Sequence, residues 1–373
     1  MDIVINGRFL TQGITGVQRY ARELISALDT LLDAEPGMKV TVISPRISKT
    51  PPAWRNIELR QVGYLRGHAW EQIELPWYAR GKILFCPGNT IPVISLLVSQ
   101  PAIVTIHDLS YRYFPDAYHP AFRIWYGLII PLALRHARDV ITVSETERRA
   151  IIAHYPAVAP RLHAIPNGGI SEHFAVEIAK SSARHDTYIL YVGSFSKRKN
   201  FPRTLEVACR LARERGLRFV FVGGTSKSLA APAAKIPDDV SSHITLLDGV
   251  DDEATLISYY RNAACFLFPS LYESSGLPPI EAMACGCPVV VSDIPALKER
   301  CGDAALYCDP YDAASMAEAI LQIVDNTELR AKLTALGYQR AANCSWEACA
   351  RDTLALISQL QTKCRTPDSS GTR

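Results

Sequence analysis

The 373-residue chain is predicted to be an α/β protein of two Rossmann-like domains, each built on a doubly wound parallel sheet. Short apolar runs alternate with segments of helical periodicity along most of the chain, and this alternation is typical of parallel sheets covered by helices on both faces. The length suits two domains of ordinary size. A hydrophobic content of 48% and a charged content of 21% indicate a globular protein.

The first strand and helix are joined by a glycine loop. Asp2–Asn6 is predicted to be a strand, Gly13 and Gly16 lie in the loop, and the apolar spacing from Val17 onwards predicts an amphipathic helix. This layout is typical of nucleotide-binding folds, although the two glycines do not form the dinucleotide fingerprint. An ordinary strand-to-helix turn is the alternative interpretation.

The rest of the first half continues the alternation. Further strands are predicted at Lys39–Ser44, Ile57–Val62, Ile83–Cys86, Ile103–Ile106, Val140–Val143 and His163–Ile165. Tyr126–Ala137 is apolar enough to be a helix that packs on the sheet. The domain boundary is placed near Ile170, and residues 171–186 are predicted to be a polar linker.

Residues 43–82 combine aromatic and basic side chains. The stretch holds three tryptophans and two tyrosines among seven basic and three acidic residues. Amphipathic aromatics among cations suit a membrane interface or a lipid-linked ligand. A stretch of loops and helix ends with some core aromatics explains the same pattern, and both interpretations stay open.

His107 and Asp108 follow the apolar strand Val104–Ile106. Ligands of open α/β sheets gather at the carboxyl ends of strands, so both side chains are candidates for the site. His107 could hydrogen-bond a sugar hydroxyl or a phosphate oxygen, and Asp108 could fix the tautomer of the ring or contact a second substrate.

A basic loop follows the first strand of the second half. Tyr188–Gly193 is the predicted strand, Ser194 begins the loop, and Arg198 and Lys199 precede a helix that starts near Phe201. Cations at a strand end, just before a helix N-terminus, suit a diphosphate. A solvated basic loop is the alternative.

Two more strands are predicted in this half, at Phe219–Gly224 and Ile244–Val250. Both are expected to end at the carboxyl edge of the sheet, where open α/β folds bind ligands.

Two carboxylates occur in the unit from Leu267 to Asp293. Cys265–Phe268 and Pro288–Val291 are the predicted strands, and the helix between them is predicted to open at Pro278-Pro279 and to stop at Gly286. Glu273 is expected at the carboxyl end of the first strand, and Glu281 about one turn into the helix.

The amides between these carboxylates lie at or near the helix N-terminus, where anions bind. They belong to Ser275, Gly276 and Leu277. A carboxylate accepts two hydrogen bonds from a vicinal diol, so the unit suits a ligand with sugars on either side of a diphosphate. For Glu281 alone, a solvated glutamate near a helix start is the competing interpretation.

The spacing Glu273-x7-Glu281, followed by Ala-Met-Ala-x-Gly-x-Pro-Val-Val, resembles the donor-site signature of the retaining glycosyltransferases of family 4, which have the GT-B fold. The resemblance implies two Rossmann-like domains that face each other across a cleft, with a last helix that crosses back to the first domain. It implies that Gly16 approaches the donor diphosphate and that His107 contacts the donor sugar. Glu273 would hold donor-sugar hydroxyls and Glu281 the ribose. Val250 would contact the donor, because family members stack the nucleotide base at the edge where the strand Ile244–Val250 ends.

One position departs from the family pattern. Ser194 stands where family members often carry an arginine, whereas Lys199-Asn200 matches the pattern. Arg198 is the alternative source of that positive charge.

The function implied by the resemblance is retaining, metal-independent transfer of a hexose from a nucleotide-sugar to a saccharide acceptor. Mannose from GDP-mannose is favoured, and the expected product is a lipopolysaccharide O-antigen or an exopolysaccharide on a lipid carrier. No Asp-x-Asp motif is present, and Cys285-Gly-Cys287 has no second ligand pair at zinc spacing, so neither a metal nor another cofactor is expected. A sugar-nucleotide epimerase of the same fold and a non-catalytic sugar-nucleotide binder are the alternatives.

The resemblance also divides the chain. Residues 1–170 are expected to bind the acceptor, residues 171–345 the nucleotide-sugar, residues 346–364 to form the returning helix, and residues 365–373 a polar tail. Residues 1–170 carry a net charge of +5 and the remainder −2, which suits an anionic acceptor or membrane but is too weak to indicate nucleic acid. With no apolar run long enough to cross a bilayer and no basic leader segment, a cytoplasmic location with peripheral contact at the inner face of the plasma membrane is expected.

Overall fold

Seven parallel strands make up the sheet of the first structural unit. The computed structural model describes residues 2–35, 37–48, 50–180, 188–224, 236–250 and 252–365. The first unit comprises Met1–Leu109, Ile124–Gly168 and Trp346–Arg373. Its strands are β1 Ile3–Asn6, β2 Val40–Ser44, β3 Ile57–Gln61, β4 Ile83–Cys86, β5 Ala102–Thr105, β6 Asp139–Thr142 and β7 Leu162–Ala164, in the order β3-β2-β1-β4-β5-β6-β7.

The direction in which strands are added reverses between β1 and β4. Both strands are fully buried, with Ile3 paired to Val40 on one side and to Ile83 on the other. Because all strands are parallel, Asn6 and Cys86 end at the same edge of the sheet. Open α/β sheets bind ligands in the crevice at such a reversal.

The helices of the first unit cover this sheet. They are α1 Gly16–Leu31, α2 Gly67–Ala69, α3 Leu75–Tyr78, α4 Val93–Leu97, α6 Pro120–His136, α7 Glu145–His154 and α15 Trp346–Arg365, with a π-helical turn at Trp70–Glu74 between α2 and α3. α15 packs against α1 through Tyr20 and Trp346, whose ring centroids lie 5.9 Å apart. Gly168 abuts Trp346 so closely that a Cβ atom would lie 2.4 Å from its ring, which explains the glycine there.

Six parallel strands form the sheet of the second unit, which comprises Ser110–Arg123 and Gly169–Ser345. The strands are β8 Tyr188–Val192, β9 Arg218–Gly223, β10 Ile244–Asp248, β11 Cys265–Phe268, β12 Val289–Ser292 and β13 Ala305–Cys308, in the order β10-β9-β8-β11-β12-β13. This sheet reverses between β8 and β11. In each sheet, the strand that comes first in the sequence, β1 or β8, is therefore one of the two strands between which the order reverses.

The second sheet is buried between two apolar clusters, one containing Phe221 and the other Phe266. The helices of this unit are α5 Ser110–Tyr113, α8 Glu172–Lys180, α9 Phe201–Arg215, α10 Glu253–Asn262, α11 Leu277–Ala284, α12 Pro295–Cys301, α13 Ala313–Asp325 and α14 Thr327–Ala342. Among the helices of both units, within the residues described, every one is too short or too polar to cross a bilayer.

The predicted fold class is confirmed, and the twelve predicted strands are present within two residues of their expected bounds. The predicted linker is wrong in its first part, because Glu172–Lys180 is a helix. The Ser171 hydroxyl accepts a hydrogen bond from the Phe174 amide at 3.0 Å, and Phe174 is fully buried. Residues 181–186 of that prediction and the predicted tail beyond residue 365 lie outside the described residues. Elements of the second unit that were not predicted include β13, α10 and α14.

Candidate functional site

Hydrogen bonds of Asn200 fix the end of the loop that joins β8 to α9. Asn200 adopts a left-handed conformation with φ of 58°, and its side-chain amide donates to the Pro310 carbonyl at 2.6 Å. Its own carbonyl accepts from Thr204 in the first turn of α9. Lys199 is therefore placed immediately before the N-terminus of α9.

Lys199 and Arg198 converge on Glu273 across the reversal of the second sheet. Lys199 Nζ donates to Glu273 Oε1 and also lies 4.5 Å from the ring centroid of Phe268. Arg198 Nη1 lies 3.8 Å from Glu273 Oε2 and donates to the Tyr272 carbonyl at 3.1 Å. These three charged residues come from loops that follow β8 and β11 and are brought together only by the fold.

The charge of Glu273 depends on these cations. Its exposed fraction is only 9%, and burial by itself favours the neutral acid. The positive charges of Lys199 and Arg198 outweigh that effect and lower the pKa of Glu273 below its ordinary value. The carboxylate is thus ionised at neutral pH and can accept hydrogen bonds.

The N-terminus of α11 lies next in the chain. Gly276 caps the helix with φ of 83°, and a Cβ atom there would lie 2.8 Å from Leu297. Only glycine fits both the conformation and the space. Ser275, Gly276 and Leu277 form the turn into the helix, whose N-terminal dipole favours an anion.

Glu281 is more enclosed than the sequence predicts. Only 2% of the residue is exposed, and its Oε2 accepts a hydrogen bond from the Tyr260 hydroxyl at 3.0 Å. Tyr260 lies on α10 and is fully buried. Sequence reasoning missed this tyrosine because it precedes Glu281 by 21 residues in a separate helix, with no motif to connect them.

Ser194 and Val250 have structural contacts of their own. The Tyr191 hydroxyl donates to the Ser194 carbonyl at 2.9 Å, and the Ser194 hydroxyl lies 3.1 Å from that of Ser196. Val250 follows β10 and packs against the apolar cluster that contains Tyr260. The structure thus ties Ser194 to the loop that carries Lys199, whereas Val250 packs at the end of β10.

His107 lies at the carboxyl edge of the first sheet and is neutral. Burial lowers the pKa of its imidazole, and the ring stands edge-on to Tyr20 at 4.6 Å between centroids. Its Nε2 lies 2.9 Å from the Pro87 carbonyl, and a carbonyl only accepts, so Nε2 carries the proton. Nδ1 is then an acceptor. Pro87, and not Asp108, fixes the tautomer, which corrects the interpretation from the sequence.

Gly16 and Asp108 are also in the first unit. Gly16 is the first residue of α1, after an N-cap at Thr15, and apart from its chain neighbours and the backbone of its own helix no described atom lies within 4 Å of the position of a Cβ atom. Neither packing nor a positive φ requires glycine there. Asp108 is half-buried beside His107, and its negative charge opposes the effect of burial on the pKa of that imidazole.

A second charged cluster at the reversal of the first sheet was not predicted. Glu71 Oε1 accepts from Asn6 Nδ2 at 2.6 Å and from Arg8 Nε at 3.1 Å. Thr90 accepts from Arg8 and donates to Glu71, both at 2.9 Å. Glu71 also binds His68. A polar Asn6 at the end of an apolar strand was the available signal, but its partners lie more than 60 residues away in the sequence.

Two protein-family models match the chain. The model for glycosyltransferase family 4 matches residues 14–169, and the model for glycosyl transferases group 1 matches residues 176–340. O-antigen chain mannosyltransferase B of Escherichia coli is 31% identical over 273 residues, which cover 68% of this chain and 69% of that protein. The chain belongs to glycosyltransferase family 4. This glycosyltransferase is also 25% identical to the O-antigen chain mannosyltransferase RfbU of Salmonella typhimurium, over 86% of this chain and 90% of that protein.

Solved structures of glycosyltransferases share this fold. WaaG, a glycosyltransferase involved in lipopolysaccharide biosynthesis, matches with a TM-score of 0.67 at 16% identity, over 96% of this chain and 100% of that one. Sucrose-phosphate synthase from Thermosynechococcus elongatus matches with a TM-score of 0.69 at 21% identity, over 97% of this chain and 100% of that one. The glycosyltransferase has the GT-B fold.

Proposed function

We propose that this glycosyltransferase transfers a mannosyl group from GDP-mannose to a growing O-antigen or related surface polysaccharide. The observation that carries the proposal is the cluster of Lys199, Arg198 and Glu273 at the sheet reversal of the unit that the group 1 model matches. It offers cations for a diphosphate beside an ionised carboxylate for sugar hydroxyls. The names of two similar proteins, both O-antigen chain mannosyltransferases, supply the choice of sugar and product.

The cations and the amides of α11 act on the leaving group. When the glycosidic bond to the diphosphate breaks, negative charge grows on the β-phosphate. Lys199, Arg198 and the turn at Ser275, Gly276 and Leu277 stabilise that charge, which is the main electrostatic contribution such a site can make. The sequence has no Asp-x-Asp motif, so this stabilisation is proposed to need no metal.

Other side chains position the donor. Glu273 accepts hydrogen bonds from hydroxyls of the hexose, and Glu281, oriented by Tyr260, accepts them from the ribose. In the first unit, Gly16 leaves space for close approach of the diphosphate, and Nδ1 of His107 accepts from a sugar hydroxyl. Asp108 and Ser194 lie in the loops that follow β5 and β8, where they can contact the donor. Val250 contributes an apolar contact near the nucleotide base. The leaving phosphate acts as the base, and the anomeric configuration is retained.

Ligand-dependent thermal stability and product analysis test this proposal. We expect GDP and GDP-mannose to raise the Tm of the protein, EDTA to leave that shift unchanged, and UDP, dTDP and ADP to have little effect. Incubation with GDP-mannose and a mannoside acceptor should then release GDP and form an α-mannoside. If another nucleotide raised the Tm instead, the donor would carry that nucleotide and not GDP. Conversion of the sugar-nucleotide without any acceptor would indicate an epimerase.

We also propose that the acceptor is lipid-linked and that the first unit contacts an anionic membrane. An apolar surface, here called the α3–α4 surface, exposes Ile73, Trp77, Ile94, Leu97 and Val98. Trp77 is 73% exposed and Leu97 is 70% exposed. Gln72, on the π-helical turn that leads into α3, donates to the Ile91 carbonyl and accepts from the amide of Val93 at the start of α4, so the two segments are linked.

Arg66 and Arg80 are exposed and lie in the sequence just before α2 and just after α3, and Tyr64 is 89% exposed. Cations beside exposed aromatic and aliphatic side chains match an anionic lipid headgroup region above an acyl core. The glycosyltransferase is proposed to act there, at the inner face of the plasma membrane.

Liposome co-sedimentation checks the membrane proposal. The wild type should bind vesicles of phosphatidylglycerol and phosphatidylcholine at low salt, and Trp77→Ser with Leu97→Ser should reduce the bound fraction at least fivefold. Tyr311→Ser removes an aromatic that is 65% exposed in the second unit and is the matched control. Equal binding by the double variant and the control would contradict the proposal.

A further inference from the structure

Glu71 occupies the reversal of the first sheet. It lies on the π-helical turn Trp70–Glu74, and its side chain is fully buried. Asn6 comes from the end of β1 and Thr90 from the loop after β4, so a carboxylate bonded to both sits over the crevice between these strands. Single π-helical turns are rare and are frequent at functional sites.

The buried charge of Glu71 is compensated by a buried cation and by several hydrogen-bond donors. Burial favours the neutral acid, but Arg8, His68 and Asn6 together lower the pKa of Glu71 below its ordinary value. Arg8 is itself buried and supplies the opposite charge, while Asn6 and Thr90 supply neutral donors. His68 adds a further donor to the carboxylate from the partly exposed side.

His68 connects this buried cluster to solvent. Its Nδ1 lies 3.1 Å from Glu71 Oε2, and its side chain is 40% exposed. Because the carboxylate only accepts, Nδ1 carries a proton, and Nε2 of the neutral ring is an acceptor. Nε2 has no hydrogen-bond partner among the residues described in the structure.

Trp125 lies beside the imidazole. The two ring centroids are 5.1 Å apart with the planes at 60°, and Trp125 is partly exposed on α6. An aromatic face next to a few oriented polar atoms is the usual composition of a small-molecule site. The C–H face of a pyranose can pack against an indole ring while the hydroxyls of the sugar donate hydrogen bonds to nearby acceptors.

We propose that His68, oriented by Glu71, and Trp125 form the subsite for the acceptor saccharide. The Nε2 atom of His68 accepts a hydrogen bond from a hydroxyl of the acceptor sugar, and Trp125 supports its ring. This inference rests on the proposed function, because it assumes that a saccharide receives the transferred sugar. It adds residues that the sequence motifs do not include.

Saturation-transfer NMR with simple glycosides tests the subsite on the full chain. Methyl α-D-mannopyranoside and methyl α-D-glucopyranoside are the probes. We expect signal on the ring protons of at least one probe with the wild type, and at least a fivefold loss in His68→Asn and in Trp125→Ala. Asparagine keeps a donor near the position of Nδ1 but removes the Nε2 acceptor. Trp125→Phe retains an aromatic face and should retain part of the signal.

His136→Asn is the matched control, since it removes an exposed histidine from the end of the same α6 helix. It should bind the probe as the wild type does. Absence of signal from the wild type with both probes, or equal signal in His68→Asn and the wild type, would overturn the subsite.

Nucleotide binding separates this inference from the function on which it rests. Thermal shifts with GDP on the same variants should equal that of the wild type, because the cluster at Glu273 is untouched. Loss of probe binding with an unchanged GDP shift supports the subsite. If the wild type binds glycosides in a His68-dependent way but no nucleotide, the proposed transferase function fails and the saccharide subsite stands. A KM for acceptor that rises at least fivefold in His68→Asn at constant kcat would support the same role in turnover.

Discussion

Lys199 Nζ donates a hydrogen bond to Glu273 Oε1 across the point where the strand order of the second sheet reverses. The first sheet has a counterpart, in which Arg8 pairs with Glu71 across the reversal between β1 and β4. In each case the cation follows the first strand of its sheet, and the carboxylate comes from a distant segment. Both pairs place a compensated buried charge where an open α/β sheet binds ligands.

Lys199→Met should destabilise the protein by about 3 kcal/mol at pH 7, because Glu273 then loses its nearest cation while it stays buried. In the wild type, the lowered pKa of Glu273 contributes stability above the ordinary carboxyl value of 4.5, and this contribution is lost as the pH falls through the lowered pKa. In the variant, Arg198 alone opposes the effect of burial, so the pKa of Glu273 is higher than in the wild type and the carboxyl protonates at a higher pH. The stability difference should therefore be largest at neutral pH and shrink towards pH 4, as measured by urea unfolding.

Lys197→Met is the control for this prediction, since Lys197 is exposed in the same loop. It should change the unfolding free energy by less than about 0.5 kcal/mol at either pH. If Lys199→Met is less stable than the wild type by the same unfolding free energy at pH 7 and at pH 4, the loss of stability comes from packing and not from the charge of Glu273.

Glu281→Ala should weaken binding of the donor nucleotide by about 1.5–3 kcal/mol, the value of a hydrogen bond to a charged group. Tyr260→Phe keeps the carboxylate but removes the hydroxyl that holds Oε2, so its loss of affinity should be smaller. Calorimetric titration with GDP measures both. Equal affinity in Glu281→Ala and the wild type would remove Glu281 from the ribose site.

The fold was predictable because its signal is local. Each apolar run such as Ile83–Cys86 is a complete buried strand, and the intervening helices carry their own periodicity. The segment Glu172–Lys180 was misassigned because its polar residues outnumber the single buried Phe174 that anchors it. β13 is short and half-buried in its middle, which leaves little pattern to detect.

The site was predictable only where its residues share one motif. Glu273, Gly276 and Glu281 follow one another in a single strand-turn-helix unit, and their spacing indicates their chemistry. Tyr260 and Glu71 act through contacts that span more than 20 residues of sequence. Sequence spacing carries no information on such pairs until the order of the strands is known.

His107→Gln should remove part of the pH dependence of stability. The pKa of His107 is lowered by burial, so the neutral ring contributes stability above the ordinary value of 6.5 that is lost as the pH falls. Glutamine can still donate to the Pro87 carbonyl but does not titrate. The variant should lose about 1 kcal/mol at pH 8, because the edge contact with Tyr20 disappears. Its unfolding free energy should then fall less than that of the wild type between pH 8 and pH 5.

The surface variant His154→Gln is the control for that comparison. It should follow the wild type across the pH range. If His107→Gln also follows the wild type, the imidazole is not held neutral by burial, and its role as an acceptor at Nδ1 has no basis.

Gly16→Ala should leave the fold intact and impair donor use. The added methyl group would meet no described atom within 4 Å beyond its chain neighbours and its own helix backbone, and glycine is a poorer helix former than alanine. The variant should therefore be as stable as the wild type or more stable by up to about 1 kcal/mol. If the donor diphosphate approaches Gly16 closely, the added methyl group should raise the KM for donor at least tenfold. Gly127→Ala, an equally open position on α6, should gain similar stability without that change. Equal donor KM in both variants would mean that Gly16 serves only to begin α1, and the proposed contact with the diphosphate would have to be assigned elsewhere in the first unit.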